Sequence, residues 1–383
     1  MTLHKYSFVL LIAALCACHP SDGIKYDYTH PIPYLPEVYV CYRAPQSPII
    51  DGVLDEDEWG QIHWSELFVD IEGNLKPQPK HDTRMKMMWD STFLYIAAKL
   101  NDEHIWATLK QRDTIIFQNN NFEVFIDPDG DTHNYMELEI NALNTVWDLL
   151  LLRPYREDTL PKVHDEWNMD KLQTAVHIEG SLNDPSDKDA FWSVEIALPL
   201  ESITAPGLPH EGFTPSGNTP QHGEQWRINF SRVAWHTEVV DGRYVKKKDQ
   251  ASGKVPYFPQ ENWVWSASGR VAMHQPETWG YLQFSNNAAG EKEDLFDYKE
   301  EEIIKWGLRQ LYFQERTCKK EMGIYSGDLN LFTIPQADIV GYDFQPEFVA
   351  DSAHFKIRVA GPENKGYWLI RQDGKIWFEA NHR

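Results

Sequence analysis

From Val38 onward, short runs rich in β-branched and aromatic residues are separated by Gly, Pro, Asn and Asp. That spacing predicts the strands of an all-β sandwich or barrel. Strands are expected over 85–89, 93–100, 122–127, 135–141, 146–152, 172–178, 191–198, 225–235, 263–267 and 280–284. Ile49-Ile50-Asp51-Gly52 followed by Asp55-Glu56-Asp57-Glu58-Trp59 reads as a strand end, a turn and a short helix. Segment 204–223 is rich in Gly, Pro and His, the region around 249–262 is of similar composition, and both read as long loops, a common place for binding sites on a sandwich.

Successive strand side chains alternate between faces. Phe122, Val124 and Ile126 therefore lie opposite Glu123, Phe125 and Asp127. Met136, Leu138 and Ile140 lie opposite Glu137, Glu139 and Asn141. The same rule sets Ser193 and Glu195 against Trp192, Val194 and Ile196, and Arg227, Asn229 and Ser231 against Trp226, Ile228 and Phe230. Carboxylates, amides and a guanidinium presented from one side can hydrogen-bond vicinal sugar hydroxyls. A solvated outer face of an antiparallel sheet explains the alternation equally well.

After about residue 287 the pattern changes. Asn286 to Gly290 reads as a linker, 299–320 has helical spacing of Ile303, Ile304, Trp306, Leu308, Leu311, Tyr312 and Phe313, and short strands follow at 355–359, 367–371 and 376–379. Gln372-Asp373-Gly374-Lys375 is a hairpin turn signal. The expected organisation is a signal peptide at 1–17, a Pro-containing tether at 18–37, a sandwich domain at 38–286, and a linker with a small C-terminal α+β appendage at 287–383.

The start of the chain sets the compartment. Lys5 precedes the apolar run Phe8 to Leu15, too short to span a membrane, and Leu15-Cys16-Ala17-Cys18 then resembles a bacterial lipobox. Cleavage before Cys18 leaves its thiol for lipidation, so the expected location is the bacterial outer membrane or cell envelope, with membrane contact through the lipid anchor alone. Cys41 and Cys318 are then free to pair or not, which spacing leaves open. The formal charge of -22 argues against a nucleic-acid partner but carries no penalty for a neutral polymer. The 15 Trp and 17 Tyr are many; most are expected in the core, and a sugar-binding surface also draws on such flat rings.

Several motifs in order then narrow the class. These are Ile50-Asp51-Gly52 with Trp59, Met88-Trp89-Asp90 with Leu94 to Ala97, Phe122 to Asp127, Tyr135 with Leu138 to Asn141, Trp192 to Ala197, and Trp279-Gly280-Tyr281-Leu282. Together, over roughly 38–285, they resemble family 9 carbohydrate-binding modules. Trp226 to Val233 and Met273 to Pro276 resemble the branch found in exported proteins of Bacteroidetes-type bacteria. The resemblance implies an antiparallel β-sandwich with immunoglobulin-like layers, related to the DOMON sandwiches, that binds glucose- or xylose-type sugars without cleaving them and commonly carries structural calcium. The family clamps sugar between two Trp rings; the first place falls at or near Phe117 and the second near Met273 and His274. Glu123 matches a family hydrogen-bonding Glu, Asn141 is kept, and Glu139 stands where the family has Arg.

The expected saccharide-binding residues are thus Phe117, Glu123, Glu139, Asn141, Arg227, Asn229 and His274, with Trp235 and Trp263 as replacement platforms. Asp127, Asp129 and Asp131 pack three carboxylates into one turn and are the calcium candidates; Asp and Gly are also ordinary turn formers. Two other readings stay open. Glu123 and Glu139 on neighbouring strands could form a glycoside hydrolase pair. Met273 and His274 suggest haem, although adjacent residues on an extended segment point apart.

Overall fold

The computed structural model describes residues 25–157, 160–204, 219–249 and 257–381. The proposed lipidation site at Cys18 and the signal region lie outside them. No helix among the described residues is long and apolar enough to cross a membrane.

Most expected strands form within a residue or two of their predicted ends, as in Thr83–Trp89, Phe93–Asn101, Asn121–Asp127, Tyr135–Asn141 and Phe191–Pro199. One strand is displaced, to Glu261–Val264, and the last of the sandwich runs on to Ala288. A hairpin, Thr237–Val240 and Arg243–Lys246, was not predicted, although Asp241-Gly242 at its tip is a turn signal.

Hydrogen bonding orders one layer as Val163–His164, Val146–Leu151, Tyr135–Asn141, Asn121–Asp127, Gln225–Ala234 and Gly280–Ala288, and the other as Thr83–Trp89, Phe93–Asn101, Phe191–Pro199 and Gln173–Glu179. The strand Val38–Arg43 joins them: it runs parallel to 280–288, and at its end Tyr42 and Arg43 pair with Met88 and Trp89. Every other pairing in the sandwich is antiparallel.

The core is the face that alternation assigns to it. Phe122, Val124, Ile126, Met136, Leu138 and Ile140 pack with Met85, Met87, Trp89, Ile96, Trp192 and Val194 in one cluster. The Trp89 ring meets Phe284 edge-on at 5.1 Å, and its indole N–H donates to the Ser285 carbonyl at 2.9 Å.

The opposite faces are not solvated. Asn121–Asp127 and Tyr135–Asn141 are buried along their whole length. A second apolar cluster of Phe125, Tyr135, Leu149, Leu151 and Trp279 covers part of that face. On the other layer, Ser193 and Glu195 hold the Asp51-Gly52 turn: the Ser193 hydroxyl donates to the Gly52 carbonyl at 2.7 Å, and Glu195 accepts from the Gly52 amide at 2.7 Å and the Trp59 indole at 2.7 Å. Gly52 sits at φ +90, and a Cβ there would lie 2.6 Å from the backbone of Val176 and His177, so the turn requires glycine.

The appendage is a helix, Glu300–Met322, ending on Gly323 at φ 79, with a four-stranded antiparallel sheet of Glu347–Ala350, Phe355–Ala360, Gly366–Arg371 and Ile376–Ala380. It has its own core, including Ile304, Leu308, Leu311, Ile357 and Ile370.

Both expected connecting segments make contacts with the folded units. The tether expected at 18–37 is, over its described part, packed onto the appendage. Tyr26 is buried and bridges to Phe332, Tyr28 stacks on Phe313 at 4.5 Å, and Tyr34 stacks on Trp306 at 3.7 Å. Aromatic burial outweighs the chain's lack of periodicity. The linker expected at 286–290 continues an edge of the sheet: the Ala289 amide donates to the Arg43 carbonyl at 3.1 Å, and Ala289 is buried. Cys41 and Cys318 are both free, one in each core.

Candidate functional site

The sheet register decides which side chains meet. Glu123 faces Glu139, Phe125 faces Glu137, and Glu139 faces Trp147 across neighbouring strands. With period two, these side chains emerge on one face. Above them opens a cavity of about 350 Å³. Its walls include Phe117, Trp147, Tyr155, Met273 and His274, with Glu123, Glu137 and Glu139 at its base.

The three carboxyls are 3%, 5% and 2% exposed, respectively, so each is nearly withdrawn from water. One amide serves two of them: Asn121 Nδ2 donates to Glu123 Oε1 at 2.9 Å and to Glu139 Oε2 at 3.3 Å. Glu137 hydrogen-bonds the Glu139 carboxyl. Burial pushes Glu123 up to about 7. Burial, reinforced by the neighbouring carboxylates, holds Glu137 and Glu139 well above the usual range. The described lining contains neither Lys nor Arg. Its one basic side chain, His274, is pushed down to about 3 by burial, and its Nδ1 lies 3.0 Å from the Tyr135 hydroxyl. Carboxyls so placed stay largely protonated and can both donate and accept.

Four expected site residues, Phe117, Glu123, Glu139 and His274, meet in this cavity. The others do not reach it. Asn141 is drawn into a turn, donating to the Leu109 carbonyl at 2.8 Å and accepting from the Leu143 and Thr145 amides at 3.0 Å. Arg227 points toward the appendage, donating to the Trp279 carbonyl at 2.7 Å, the Tyr34 hydroxyl at 2.9 Å and Glu302 at 3.0 Å. Asn229 braces Ser266 through two backbone bonds, at 2.8 Å and 3.0 Å.

Trp235 and Trp263 border a separate cleft of about 590 Å³. Cations already occupy their ring faces: Lys246 Nζ lies 3.5 Å from the Trp235 centroid and the Arg232 guanidinium 5.0 Å from that of Trp263. Trp235 instead supports Phe117, whose carbonyl accepts from the Trp235 indole at 2.8 Å.

Glu137, Trp147 and Tyr155 were not among the expected site residues. The first two follow from alternation plus strand pairing. Tyr155 lies in a loop after Val146–Leu151, where no periodicity marks it. Met273 and His274 both border the cavity although they are adjacent in sequence.

The acidic turn is a different kind of cluster. Asp127, Asp129 and Asp131 each bring one oxygen within 4.8 Å of the others, which suits a hard cation. The chain's own cations compete for it. Lys375 Nζ lies 2.9 Å from Asp131 Oδ2, and the Arg309 charge acts on Asp127. Asp127 already accepts from the Gly130 and Thr132 amides at 3.0 Å and 2.9 Å. The turn also meets the 372–375 hairpin, where the Thr132 hydroxyl and Arg309 both donate to the Gly374 carbonyl. The residues present fit an internal ion pair between sandwich and appendage better than they fit calcium.

The sequence comparison agrees with the motif order. Residues 50–214 match the family model described as carbohydrate family 9 binding domain-like. Residues 50–214 are thus similar to that family. The match is shorter than the 38–285 span of the motifs. Among solved structures, the chain is similar to a family 9 module from Caldicellulosiruptor kristjanssonii in complex with glucose, at 14% identity and a TM-score of 0.38, covering 68% of this chain and 100% of that one. It is also similar to a putative carbohydrate-binding protein from Bacteroides uniformis, at 14% identity and a TM-score of 0.44, covering 65% and 99% of the two chains. No curated protein matches the chain in sequence. The cavity side chains Phe117, Glu123, Glu137, Glu139, Trp147 and Tyr155 all fall within the matched residues of the family 9-like domain.

Proposed function

We propose that the family 9-like domain binds carbohydrate without cleaving it, in the cavity between Phe117, Trp147 and Tyr155, on a lipoprotein held at the bacterial cell envelope. The supporting observation is the pairing of aromatic walls with a base of buried carboxyls that face no Lys or Arg in the described lining. Aromatic rings pack on the C–H faces of a pyranose, while protonated Glu123, Glu137 and Glu139 exchange hydrogen bonds with its hydroxyls. A cavity of about 350 Å³ is at the small end of ligand pockets, which suits one or two sugar units of a glucan- or xylan-type chain. Affinity should be modest, because few polar contacts act and the site is open on one side. Isothermal calorimetry with glucose- and xylose-type oligosaccharides tests this. Binding that weakens in Tyr155→Ala and Phe117→Ala supports it, and absence of heat across the panel overturns it.

The hydrolase alternative has one favourable observation, the single amide shared by Glu123 and Glu139. Catalysis by two carboxyls needs environments that separate an acid from an ionised partner. Here burial pushes both in the same direction. Reducing-sugar release that disappears in Glu123→Gln would revive the alternative.

The lipid anchor rests on the lipobox at Cys18. Fatty-acid label on the wild-type chain and none on Cys18→Ser is the expected result; an unlabelled wild-type chain would contradict the anchor.

A further inference from the structure

The cavity carries an unmet requirement that narrows its ligand. Three carboxyls share one base, and the described lining holds no Lys or Arg. Asn121 donates to two of them, at 2.9 Å and 3.3 Å. Glu137 is 5% exposed and borders the cavity, and its partner from the described chain is another acid, the Glu139 carboxyl, rather than a cation. Two buried acids near the appendage, by contrast, have built-in cations. Glu277 receives both Arg156 nitrogens, at 2.7 Å and 3.1 Å, and Glu302 receives Arg227 at 3.0 Å. The described lining offers amide donors from Gln260 and Asn262 but no permanent cation, so an incoming molecule is the available source of positive charge.

We propose that the cavity prefers a saccharide bearing a free ammonium group, of the glucosamine type, over the corresponding neutral sugar, with Glu137 as the residue that sets the preference. The inference rests on the saccharide-binding reading above and makes it more specific. An ammonium brings three donors and a positive charge to a base of three carboxyls that faces no Lys or Arg in the described lining. Its charge is also the counter-ion that lets buried carboxyls ionise. Binding of such a sugar therefore releases protons from the cluster, whereas a neutral sugar leaves them in place. A uronic acid adds a fourth acid to the same space and is disfavoured.

Calorimetry on the full chain, with methyl glucoside, methyl glucosaminide, its N-acetyl form and glucuronate as probes, tests the proposal. At about pH 6, where the amine is charged, the glucosaminide is expected to bind about tenfold tighter than the glucoside. Titrations in buffers of different ionisation enthalpy should show proton release with the glucosaminide and none with the glucoside. In Glu137→Gln the preference should shrink to about threefold or less while glucoside affinity persists. The proton-release measurement needs no variant, so it stands if Glu137→Gln fails to fold. If the glucoside binds and the glucosaminide binds no tighter, the ammonium inference fails and saccharide binding survives. If none of the four probes binds, both fail together.

Discussion

Two clusters of buried charge in this molecule are handled in opposite ways. Where the sandwich meets the appendage, acids are matched by bases. Arg156 clamps Glu277, Tyr312 and Arg316 reach Glu157, and Arg227, Tyr281 and Lys305 converge on Glu302. Burial opposes ionisation of Glu302, yet Lys305 and Arg227 pull it down to about 2. In the cavity about Glu123, Glu137 and Glu139, burial acts without such partners and pushes acids up. A buried acid with a built-in partner fixes one element onto another. A buried acid left without one, bordering open space, is held ready for something that arrives from outside.

The contrast predicts unequal responses to mutation. Arg156→Ala strands Glu277 and should cost about 3–5 kcal/mol in denaturant unfolding, whereas Glu139→Gln should cost less than about 1 kcal/mol. Equal losses would remove the distinction.

Acidity should separate the clusters next. Glu123 titrates near 7 in the folded protein, against roughly 4.3 unfolded, so the folded state holds its proton more tightly. Stability should therefore rise as pH falls from about 8 to about 5, by on the order of 3 kcal/mol from this group. Glu302 acts with the opposite sign: its contribution is complete above roughly pH 4.3 and is lost as pH falls toward 2. Thermal melts across this range check both limbs, and Glu123→Gln should make the upper one shallower, with Glu137 and Glu139 still contributing.

A smaller effect concerns the aromatic wall. Tyr155 is 44% exposed and supports little core, so Tyr155→Ala should weaken saccharide binding about tenfold while changing stability by less than about 1 kcal/mol. The smallest effect expected is that of calcium. Added to chelator-treated protein, it should leave the melting temperature within about 1 °C, because Lys375 and Arg309 already act on the acidic turn. A clear rise would return the turn to the metal reading.

Much of the fold was legible because it depends on local period. Phe122, Val124 and Ile126 alternate, and they line the core; Ile304, Leu308 and Leu311 recur at helical spacing, and they lie in the appendage core. The site was legible only in part, for a reason that alternation cannot supply. Period two assigns Asn141, Arg227 and Asn229 to a face, but not to a neighbour. Asn141 is taken by a turn it caps itself, and Arg227 by Glu302, which lies 75 residues further along the chain. The tether failed similarly, since Tyr26, Tyr28 and Tyr34 find partners on a helix that begins at Glu300. Glu137 stood on the predicted face; what set it apart was the absence of a cation beside it, which only the three-dimensional arrangement reveals.

The most direct test is a crystal structure of the chain soaked with a glucose-type oligosaccharide. Sugar density stacked against Phe117, Trp147 or Tyr155, with a hydroxyl within hydrogen-bond reach of Glu123, Glu137 or Glu139, is the predicted result. Density confined to the cleft beside Trp235 and Trp263, or an empty cavity at saturating sugar, would contradict the account.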